Sequence, residues 1–438
     1  MFTNFTNKVE LWGNLENQYD YKKDQDKTKR KLEEIYESLK QYFAKDSDEK
    51  QQHVEKLLEN LKGKSVPEYV MKVINEEMQR FMQMEKHHSE WQTTKTYLEY
   101  LTKMPYGVYS EDNFDLSMAK DILDEGHYGM DEVKQRILEF IAIGKLNNSV
   151  QGKILCFVGP PGVGKTSIGE SIAKSLGRQF HRISLGGDRD TASLKGFRRT
   201  YLGAVPGKII RALKQVEVEN PVILIDEVDK LGQRSQQGDP GSVLLEILDP
   251  EQNNKFTDDF LDVPIDLSKV LFLCTANMLD TLHPAVLDRM EIIEVAGYTF
   301  EEKRHILNKY LLPEAIKKAG LIEGEHKFSI PEATRDFIIE NYCREPGVRS
   351  LKKFTNQICE RIAYRVVEGD NANLIEVTEA NAEDFIGTAV YNSKKFYKQM
   401  PAGVVIGLAY NSHGGSILYI ESTNANNNPS ASVRESEQ

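Results

Sequence analysis

The first part of the chain carries apolar residues at helical spacing. Within residues 1–104, for example, Leu32, Ile35, Leu39 and Phe43 recur at intervals of three or four, with Lys and Glu dense between them. An apolar stripe opposite a charged face is typical of an amphipathic helix that packs on a neighbour. This pattern predicts a helical N-terminal segment with a polar tail.

From residue 105 the pattern changes to short apolar runs separated by helical segments. The runs are KILCFV, the segment ending at Leu185, PVILIDEV and KVLFLCTAN. Nearly continuous apolar runs of this length indicate parallel strands that are buried on both faces. We therefore predict an α/β domain over residues 105–298.

Helical spacing returns in residues 299–390, where we predict a small helical domain. Two pairs of residues, Thr299 with Glu302 and Ser329 with Glu332, have the spacing of a capping box. In that motif a Ser or Thr side chain and a Glu three residues later satisfy the first backbone N–H groups of a helix. Each pair therefore predicts the start of a helix.

The last part of the chain reads as a hairpin and a tail. Residues 401–423 carry two apolar runs around the turn sequence NSHGG, which predicts two paired strands at the start of a β-containing domain. Residues 424–438 are too polar to form a core, and we predict a disordered tail.

Composition narrows the classes of function. The 438 residues suffice for about three domains, and 56 Lys and Arg against 67 Asp and Glu give a net charge of −11. That charge argues against nucleic acid as a partner. No apolar run approaches the ~18 residues of a membrane span. Four dispersed cysteines without a CxxC pair predict buried free thiols in place of a metal site.

The strongest chemical motif follows the first apolar run. It consists of Gly159, Pro160, Pro161, Gly162, Val163, Gly164, Lys165 and Thr166, which fits G-x-x-x-x-G-K-[ST] between a strand and a helix. Such a loop turns backbone N–H groups toward phosphates, while Lys165 reaches the β- and γ-phosphates and the Thr166 hydroxyl binds Mg²⁺. The flanking strand and helix argue against a chance glycine-rich turn. The motif predicts ATP and Mg²⁺ as ligands.

Two carboxylates, Asp226 and Glu227, end the third apolar run. Taken alone, a strand that ends in acids is usually just a strand that reaches solvent. Beside a phosphate loop, the first carboxylate holds Mg²⁺ through water and the second polarises the attacking water. We predict that this pair is catalytic.

Three more polar residues have an ambiguous local context. Asn277 ends the next apolar run, where ligands of parallel sheets lie, but a turn-forming Asn fits equally well. Arg289 and Arg349 have the charge to stabilise transferred phosphate, whereas a lone arginine is more often part of a surface ion pair. Spacing alone does not separate these alternatives.

Longer stretches carry a family resemblance. They are GPPGVGKTSIGESIAKSLGR, GDRDTASLKGFRRTYLGAVPGKII, ILIDEVDKLG, LLEILDPEQN and VLDRMEIIEVAGYT. Together they resemble the ATPase module of the Lon proteases, which are ATP-dependent AAA+ proteases, and most of all the mitochondrial type. The resemblance covers residues 65–423. It implies an AAA+ ATPase domain with a helical lid, a ring that is a hexamer, unfolded protein substrates, and the mitochondrial matrix or otherwise the cytoplasm.

The resemblance also implies roles that spacing does not single out. They are a first γ-phosphate sensor at Asn277, an arginine finger for the neighbouring subunit at Arg289, a second sensor at Arg349, an adenine contact at Tyr128, and a substrate-gripping pore loop at Tyr201 and Leu202. An aromatic ring beside an aliphatic side chain suits the loop, because both can hold many polypeptide sequences by contact.

Family members end in a peptidase domain with a Ser–Lys dyad. Pro429, Ser430 and Ala431 resemble part of the serine turn, yet no lysine follows Lys398. A serine hydroxyl needs an adjacent base to attack a peptide carbonyl. We therefore expect the chain to stop short of the dyad.

Three hypotheses of function remain at this point. The first is an ATP-driven protein unfoldase subunit of a Lon-type protease, which degrades misfolded or damaged proteins. The second is a non-proteolytic ATP-binding regulatory subunit that caps or poisons complete rings; Glu227 and Arg289 argue against it, and the missing dyad argues for it. The third is an AAA+ remodeller of DNA complexes, which the acidic charge disfavours.

Overall fold

The computed structural model describes residues 23–39, 48–85, 90–147, 154–187, 190–201, 203–231, 240–322, 326–368, 374–389, 391, 400–411 and 414–422. They form two compact units, the described residues of Met1–Gly159 with Lys165–Val295 and those of Pro160–Gly164 with Ala296–Gln438. The tail predicted at 424–438, with Ser430, lies outside the described residues, and so does Phe43.

The first unit opens with a series of helices, and those within residues 1–104 are the ones that the apolar spacing predicts. They are α1 (23–39), α2 (Asp48–Glu59), α3 (Glu68–Gln83), α4 (Trp91–Lys103), α5 (Leu116–Gly126) and α6 (Asp131–Asn147). Ile35 and Leu39 are buried on the packing face of α1. The helical character of the N-terminal segment is thus confirmed over the residues described.

Alternating strands and helices follow in the first unit. In chain order they are β1 (Ile154–Val158), α7 (Lys165–Leu176), β2 (Phe180–Ser184), α8 (Ala192–Lys195), α9 (Lys208–Val216), β3 (Val222–Asp226), α10 (Pro240–Leu248), β4 (Phe256–Thr257), β5 (Pro264–Ile265), β6 (Leu271–Ala276), α11 (Pro284–Leu287) and β7 (Met290–Glu294). Short 3₁₀ turns lie at Val228–Lys230 and Asn253–Lys255.

Five of these strands form one parallel sheet in the order β2-β3-β6-β1-β7. Strands β3 and β6 are buried throughout, as expected for central strands that are covered on both faces. The α/β prediction is confirmed. Strand β7 was not predicted, because only Met290 and Ile293 of this edge strand are buried and its two glutamates leave no continuous apolar run.

One hydrophobic core joins the N-terminal helices to the sheet. It contains Met78 of α3 together with Ile223 of β3 and Phe272 of β6. The hydroxyl of Tyr97, in α4, donates to the Leu261 carbonyl at 2.9 Å. The helices therefore pack on the α/β layers directly.

All four cysteines are free and buried, as the sequence predicts. Burial raises the pKa of the Cys156 thiol to about 12, so this thiol stays protonated and unreactive at neutral pH.

The second unit is mainly helical. Its elements are α12 (Phe300–Ile306), a π-helical turn (Leu307–Leu311), α13 (Leu312–Lys318), β8 (Phe328–Ser329), α14 (Glu332–Tyr342), α15 (Arg349–Glu368), β9 (Ile375–Glu376), α16 (Ala382–Ile386), β10 (Val404–Asn411) and β11 (Gly414–Glu421). Strands β10 and β11 pair antiparallel, which confirms the predicted hairpin.

Only one of the two predicted capping boxes forms. Thr299 caps α12, and its partner Glu302 accepts from the Thr299 N–H at 2.7 Å. The prediction at Ser329 is wrong, since this residue lies in β8, paired with β9. The residue before α14 is Pro331, without a side-chain cap, and its ring already restrains φ near the helical value.

No helix among the described residues has the length and apolar character that crossing a membrane requires.

A buried ion pair links the segment before α5 to the turn between α7 and β2. The side chain of Arg178 is 4% exposed and holds both oxygens of Asp112, at 2.6 and 2.7 Å. We expect Asp112→Ala to lower the free energy of unfolding by about 3 kcal/mol, because it leaves a buried guanidinium without its carboxylate. Chemical denaturation measures this. Glu139→Ala, which breaks an exposed pair with Arg136, is the control and should cost under about 1 kcal/mol; equal losses in both variants would contradict the prediction.

Candidate nucleotide site

Three neighbouring strands of the parallel sheet end at one edge and bring the predicted site residues together. Gly159 follows β1, Asp226 ends β3, and Asn277 follows β6. Because parallel strands share a direction, their carboxyl ends meet at the same edge, where ligands of open α/β sheets bind. Lys165 and Thr166 begin α7 at this edge.

Lys165 lies at the centre of this cluster. Its ammonium donates to the Gly159 carbonyl at 2.5 Å and to Oδ1 of Asn277 at 2.9 Å. Burial lowers the pKa of Lys165, and the nearby carboxylates of Asp226 and Asp229 act in the opposite direction. The charge is therefore held in a partly dry position, where its attraction to a phosphate is stronger than in water.

Asp226 is the most connected carboxylate of the site. It is 6% exposed. Its Oδ1 accepts from the Thr275 hydroxyl, Arg182 contacts its Oδ2, and the Thr166 hydroxyl lies 3.4 Å from Oδ2. Mg²⁺ prefers hard oxygen ligands and keeps several waters. The adjacent hydroxyl and carboxylate of Thr166 and Asp226 fit such an ion.

Glu227 adopts a left-handed backbone conformation, with φ at 60°. A non-glycine residue pays roughly 1 kcal/mol or more for it. Its N–H donates to Thr275 Oγ1 at 3.1 Å, and its Oε1 accepts from Lys230 at 2.6 Å. A Cβ on Gly186 would lie only 2.3 Å from Oε2, so a larger residue there would displace this carboxylate.

Residues 160–164 of the phosphate loop belong to the second unit, with Arg349. Gly162 and Gly164 have φ of +82° and +93°, which glycine adopts without strain. The carbonyl of Gly162 accepts from the Val348 N–H at 3.0 Å, and a Cβ on Gly162 would lie 3.0 Å from that of Arg349. The start of α15 thus packs on the loop backbone.

The Tyr298 hydroxyl donates to the Val163 carbonyl at 2.9 Å. Because both residues belong to the second unit, this bond gives the loop a second fixed point there.

Arg289 lies between α11 and β7, and its side chain is 36% exposed. Its guanidinium donates to Oδ2 of Asp249 at 2.9 Å and to the Ala285 carbonyl at 2.9 Å. The backbone N–H of Glu251 and, to a smaller extent, this arginine lower the pKa of Asp249. In the single chain, the predicted arginine finger is therefore held at the surface by the Asp249 carboxylate of the same chain.

Tyr201 lies in the connection between α8 and α9, and it is 63% exposed. It lines a surface cavity of about 530 Å³ together with Phe197 and Arg198. Leu202, its predicted partner, lies outside the described residues. The same connection is fastened to the N-terminal helices, because Arg199 pairs with Glu77 at 3.0 Å.

Tyr128, the predicted adenine contact, is half-buried in the turn between α5 and α6. Its neighbour His127 is buried and bonds to the Ser171 hydroxyl of α7 at 3.0 Å. Burial lowers the pKa of His127 to about 4, so the ring is neutral at pH 7. The turn is thereby joined to the helix that follows the phosphate loop, and the adenine contact stays a prediction.

Sequence reasoning missed three residues of this region, Arg182, Asp249 and Thr275. For Thr275 a signal was available, because it is a threonine inside the otherwise apolar run KVLFLCTAN. The pairing of Arg182 with Asp226 had none, because it depends on β2 lying beside β3.

Three protein-family models match parts of the chain. Residues 155–298 match the model of the ATPase family associated with various cellular activities, residues 317–375 the Lon protease AAA+ ATPase lid domain, and residues 376–434 the Lon protease (S16) C-terminal proteolytic domain.

Longer relatives are similar to most of this chain. A mitochondrial Lon protease homologue of Homo sapiens is 52% identical over 363 residues, which cover 83% of this chain and 37% of the relative. One of Drosophila melanogaster is 50% identical over 83% of this chain and 35% of its own length. A Lon protease of Chlamydia trachomatis is 49% identical over 82% of this chain and 44% of its own length. The chain thus spans less than half of each relative.

The Thr275 hydroxyl joins the Asp226 carboxylate to the Glu227 backbone N–H, and Thr275→Val removes both bonds while keeping the shape of the side chain. We expect ATP turnover to fall about tenfold, equivalent to about 1.4 kcal/mol, because Asp226 and the Glu227 backbone lose a shared anchor. Nucleotide affinity, measured by calorimetry, should change less than about twofold. Thr257→Val, in β4, is the control. Turnover equal to that of the control would show that Thr275 does not position the pair.

Proposed function

The chain belongs to the Lon protease family, and on that premise we propose that it binds and hydrolyses ATP to unfold and translocate protein substrates. The observation that carries this proposal is the meeting of Lys165, Thr166, Asp226, Glu227 and Asn277 at one sheet edge. These residues supply a cation for the phosphates, oxygen ligands for Mg²⁺, a general base and an amide bonded to the Lys165 ammonium.

In the proposed reaction, ATP binds with its phosphates on the N–H groups of the loop and on Lys165. Mg²⁺, when bound by Thr166 and Asp226, neutralises charge on the phosphates. Glu227 accepts a proton from the water that attacks the γ-phosphorus, the bond to the bridging oxygen breaks, and ADP leaves with phosphate. Asn277, already bonded to the Lys165 ammonium at 2.9 Å, orients the γ-phosphate end.

Arginines complete the proposed cycle. Arg289 is the arginine finger for the ATP of a neighbouring subunit, and its partial exposure supports this role. To act as the finger, Arg289 exchanges its ion pair with Asp249 for the phosphate. Arg349 is the second sensor, supported by its packing on Gly162. A finger supplied from another copy of the chain requires a homo-oligomer, and we propose a hexameric ring.

The substrate of this ring is an unfolded polypeptide held by Tyr201, whose exposed aromatic side chain supports the assignment. Movement of the connection between α8 and α9, driven by nucleotide turnover, pulls the chain inward. We propose the mitochondrial matrix as the compartment of this ring, on the names of the animal relatives.

Two variants separate binding from chemistry. Lys165→Ala should weaken nucleotide binding at least tenfold, because it removes the cation for the β- and γ-phosphates. Glu227→Gln should keep binding within about twofold and lower turnover at least a hundredfold, because an amide cannot accept the proton. Calorimetry and phosphate release measure the two effects. The control is Lys174→Ala, at an exposed position of α7. Normal affinity in Lys165→Ala or normal turnover in Glu227→Gln would refute the assignment.

Tyr201→Ala tests the substrate grip. Stimulation of the ATPase by unfolded casein should be lost while basal turnover stays within about twofold, because the side chain touches polypeptide and no part of the nucleotide site. Tyr364→Ala is the matched control, since Tyr364 is 62% exposed on α15. Retained stimulation in Tyr201→Ala would exclude this loop from substrate binding.

A further inference from the structure

The connection that carries Tyr201 has a narrow neck formed by two glycines, Gly196 and Gly207. A Cβ on Gly207 would lie 1.9 Å from the Leu194 carbonyl oxygen, and Gly196 has φ of +82°. Just inside the neck, the Phe197 N–H donates to the Val205 carbonyl at 3.2 Å. The two ends of the connection are therefore pressed together, and only glycine fits at these two positions.

The carboxylate of Asp258 lies against both glycines. Its Oδ2 accepts from the Gly207 N–H at 2.8 Å, and its Oδ1 accepts from the N–H groups of Phe260 and Leu261 at 2.9 and 3.1 Å. A Cβ on Gly196 would lie 2.9 Å from each of its oxygens. Asp258 therefore touches the entry and the exit of the connection with a single side chain.

The neighbouring backbone strengthens the entry side. The N–H of Asp259 donates to the carbonyl of Lys195 at 2.7 Å. Entry and exit are thus both hydrogen-bonded to the pair of residues that follows β4.

Asp258 is fully buried, which is costly for a carboxylate. Burial raises its pKa to about 6 although three backbone N–H groups oppose the shift. Its partners are backbone N–H groups of the neck and of its own turn. Asp258 is not one of the carboxylates of the nucleotide site. The free-energy cost of burying this carboxylate is therefore explained by the bonds with which it holds the neck.

We propose that Asp258 is a positioning residue for the substrate-gripping loop, because its carboxylate clamps the two ends of residues 196–207. This inference rests on the proposed function of Tyr201. A loop that pulls a polypeptide must move with its helices as one body. If the neck were not held together, the connection would deform when it pulls on the polypeptide. Movement of α8 and α9 would then not be transmitted to Tyr201.

Asp258→Asn tests the clamp with almost no change of shape. Three N–H donors then face one oxygen and one NH₂ group, so either the Gly207 bond or the bonds to Phe260 and Leu261 are lost. We expect the casein concentration for half-maximal ATPase stimulation to rise at least fivefold, while basal turnover and nucleotide affinity stay within about twofold. Asp262→Asn, at an exposed aspartate of the same turn, should match wild type.

Hydrogen exchange supplies a readout that general destabilisation does not reproduce. In the 438-residue chain that carries Asp258→Asn, the backbone amides of residues 197–201 and 203–205 should exchange at least tenfold faster, and those of β3 and β6 should be unchanged. Faster exchange in the sheet as well, or unchanged exchange in the loop, would overturn the proposal.

Gly196→Ala is the second variant, and it decides the question if Asp258→Asn does not fold. It pushes a Cβ against the carboxylate, and we expect the same rise in the half-maximal casein concentration. Gly63→Ala, which has similar φ strain but open space around its Cβ, is the control. Wild-type stimulation in Gly196→Ala would overturn the clamp.

The Tyr201→Ala variant distinguishes the two levels of failure. If it loses stimulation while Asp258→Asn retains wild-type stimulation, the clamp is wrong and the proposed function stands. If Tyr201→Ala itself retains stimulation, the loop does not grip substrate, and the inference falls with the function.

Discussion

The parallel register of β1, β3 and β6 is the constraint on which the candidate site depends. Leu155 of β1 pairs with Leu273 of β6, and Leu224 of β3 pairs with the same residue from the other side. This alignment ends all three strands at one edge. Gly159, Asp226 and Asn277 are consequently neighbours in space, although more than a hundred residues separate the first from the last.

Both faces of the central strands are buried, so nearly all of their side chains are apolar. Polar side chains therefore lie mostly at the strand ends. Thr275 is an instructive exception, since it lies inside β6 and is buried. Its hydroxyl is satisfied on both sides, as donor to Asp226 and acceptor from the Glu227 N–H. A buried hydroxyl with both partners met is inexpensive, and here it links the proposed metal ligand to the proposed base. The geometry of the two carboxylates thus depends on a neighbouring strand.

Much of this arrangement could be predicted from sequence, and the parts that could not have a common physical cause. The runs at β1, β3 and β6 are recognisable because burial on both faces demands continuous apolar residues, and the phosphate loop is recognisable because its chemistry needs glycines and a lysine at fixed spacing. Strand β7 was missed because an edge strand keeps polar positions. The helix start at Ser329 was wrong because pairing of β8 with β9 outweighs a local capping signal. The partners of Asp226 and Arg289 depend on strand order and on packing, which spacing does not encode.

The central claim is that this sheet edge binds one Mg·ATP per chain. Calorimetric titration of the full wild-type chain with a non-hydrolysable ATP analogue tests it most directly, with Mg²⁺ present and then with excess chelator. The proposed site predicts saturable binding near one nucleotide per chain, and an affinity that falls at least tenfold without Mg²⁺, equivalent to about 1.4 kcal/mol. Absence of saturable binding, or an affinity that does not depend on Mg²⁺, would contradict the claim.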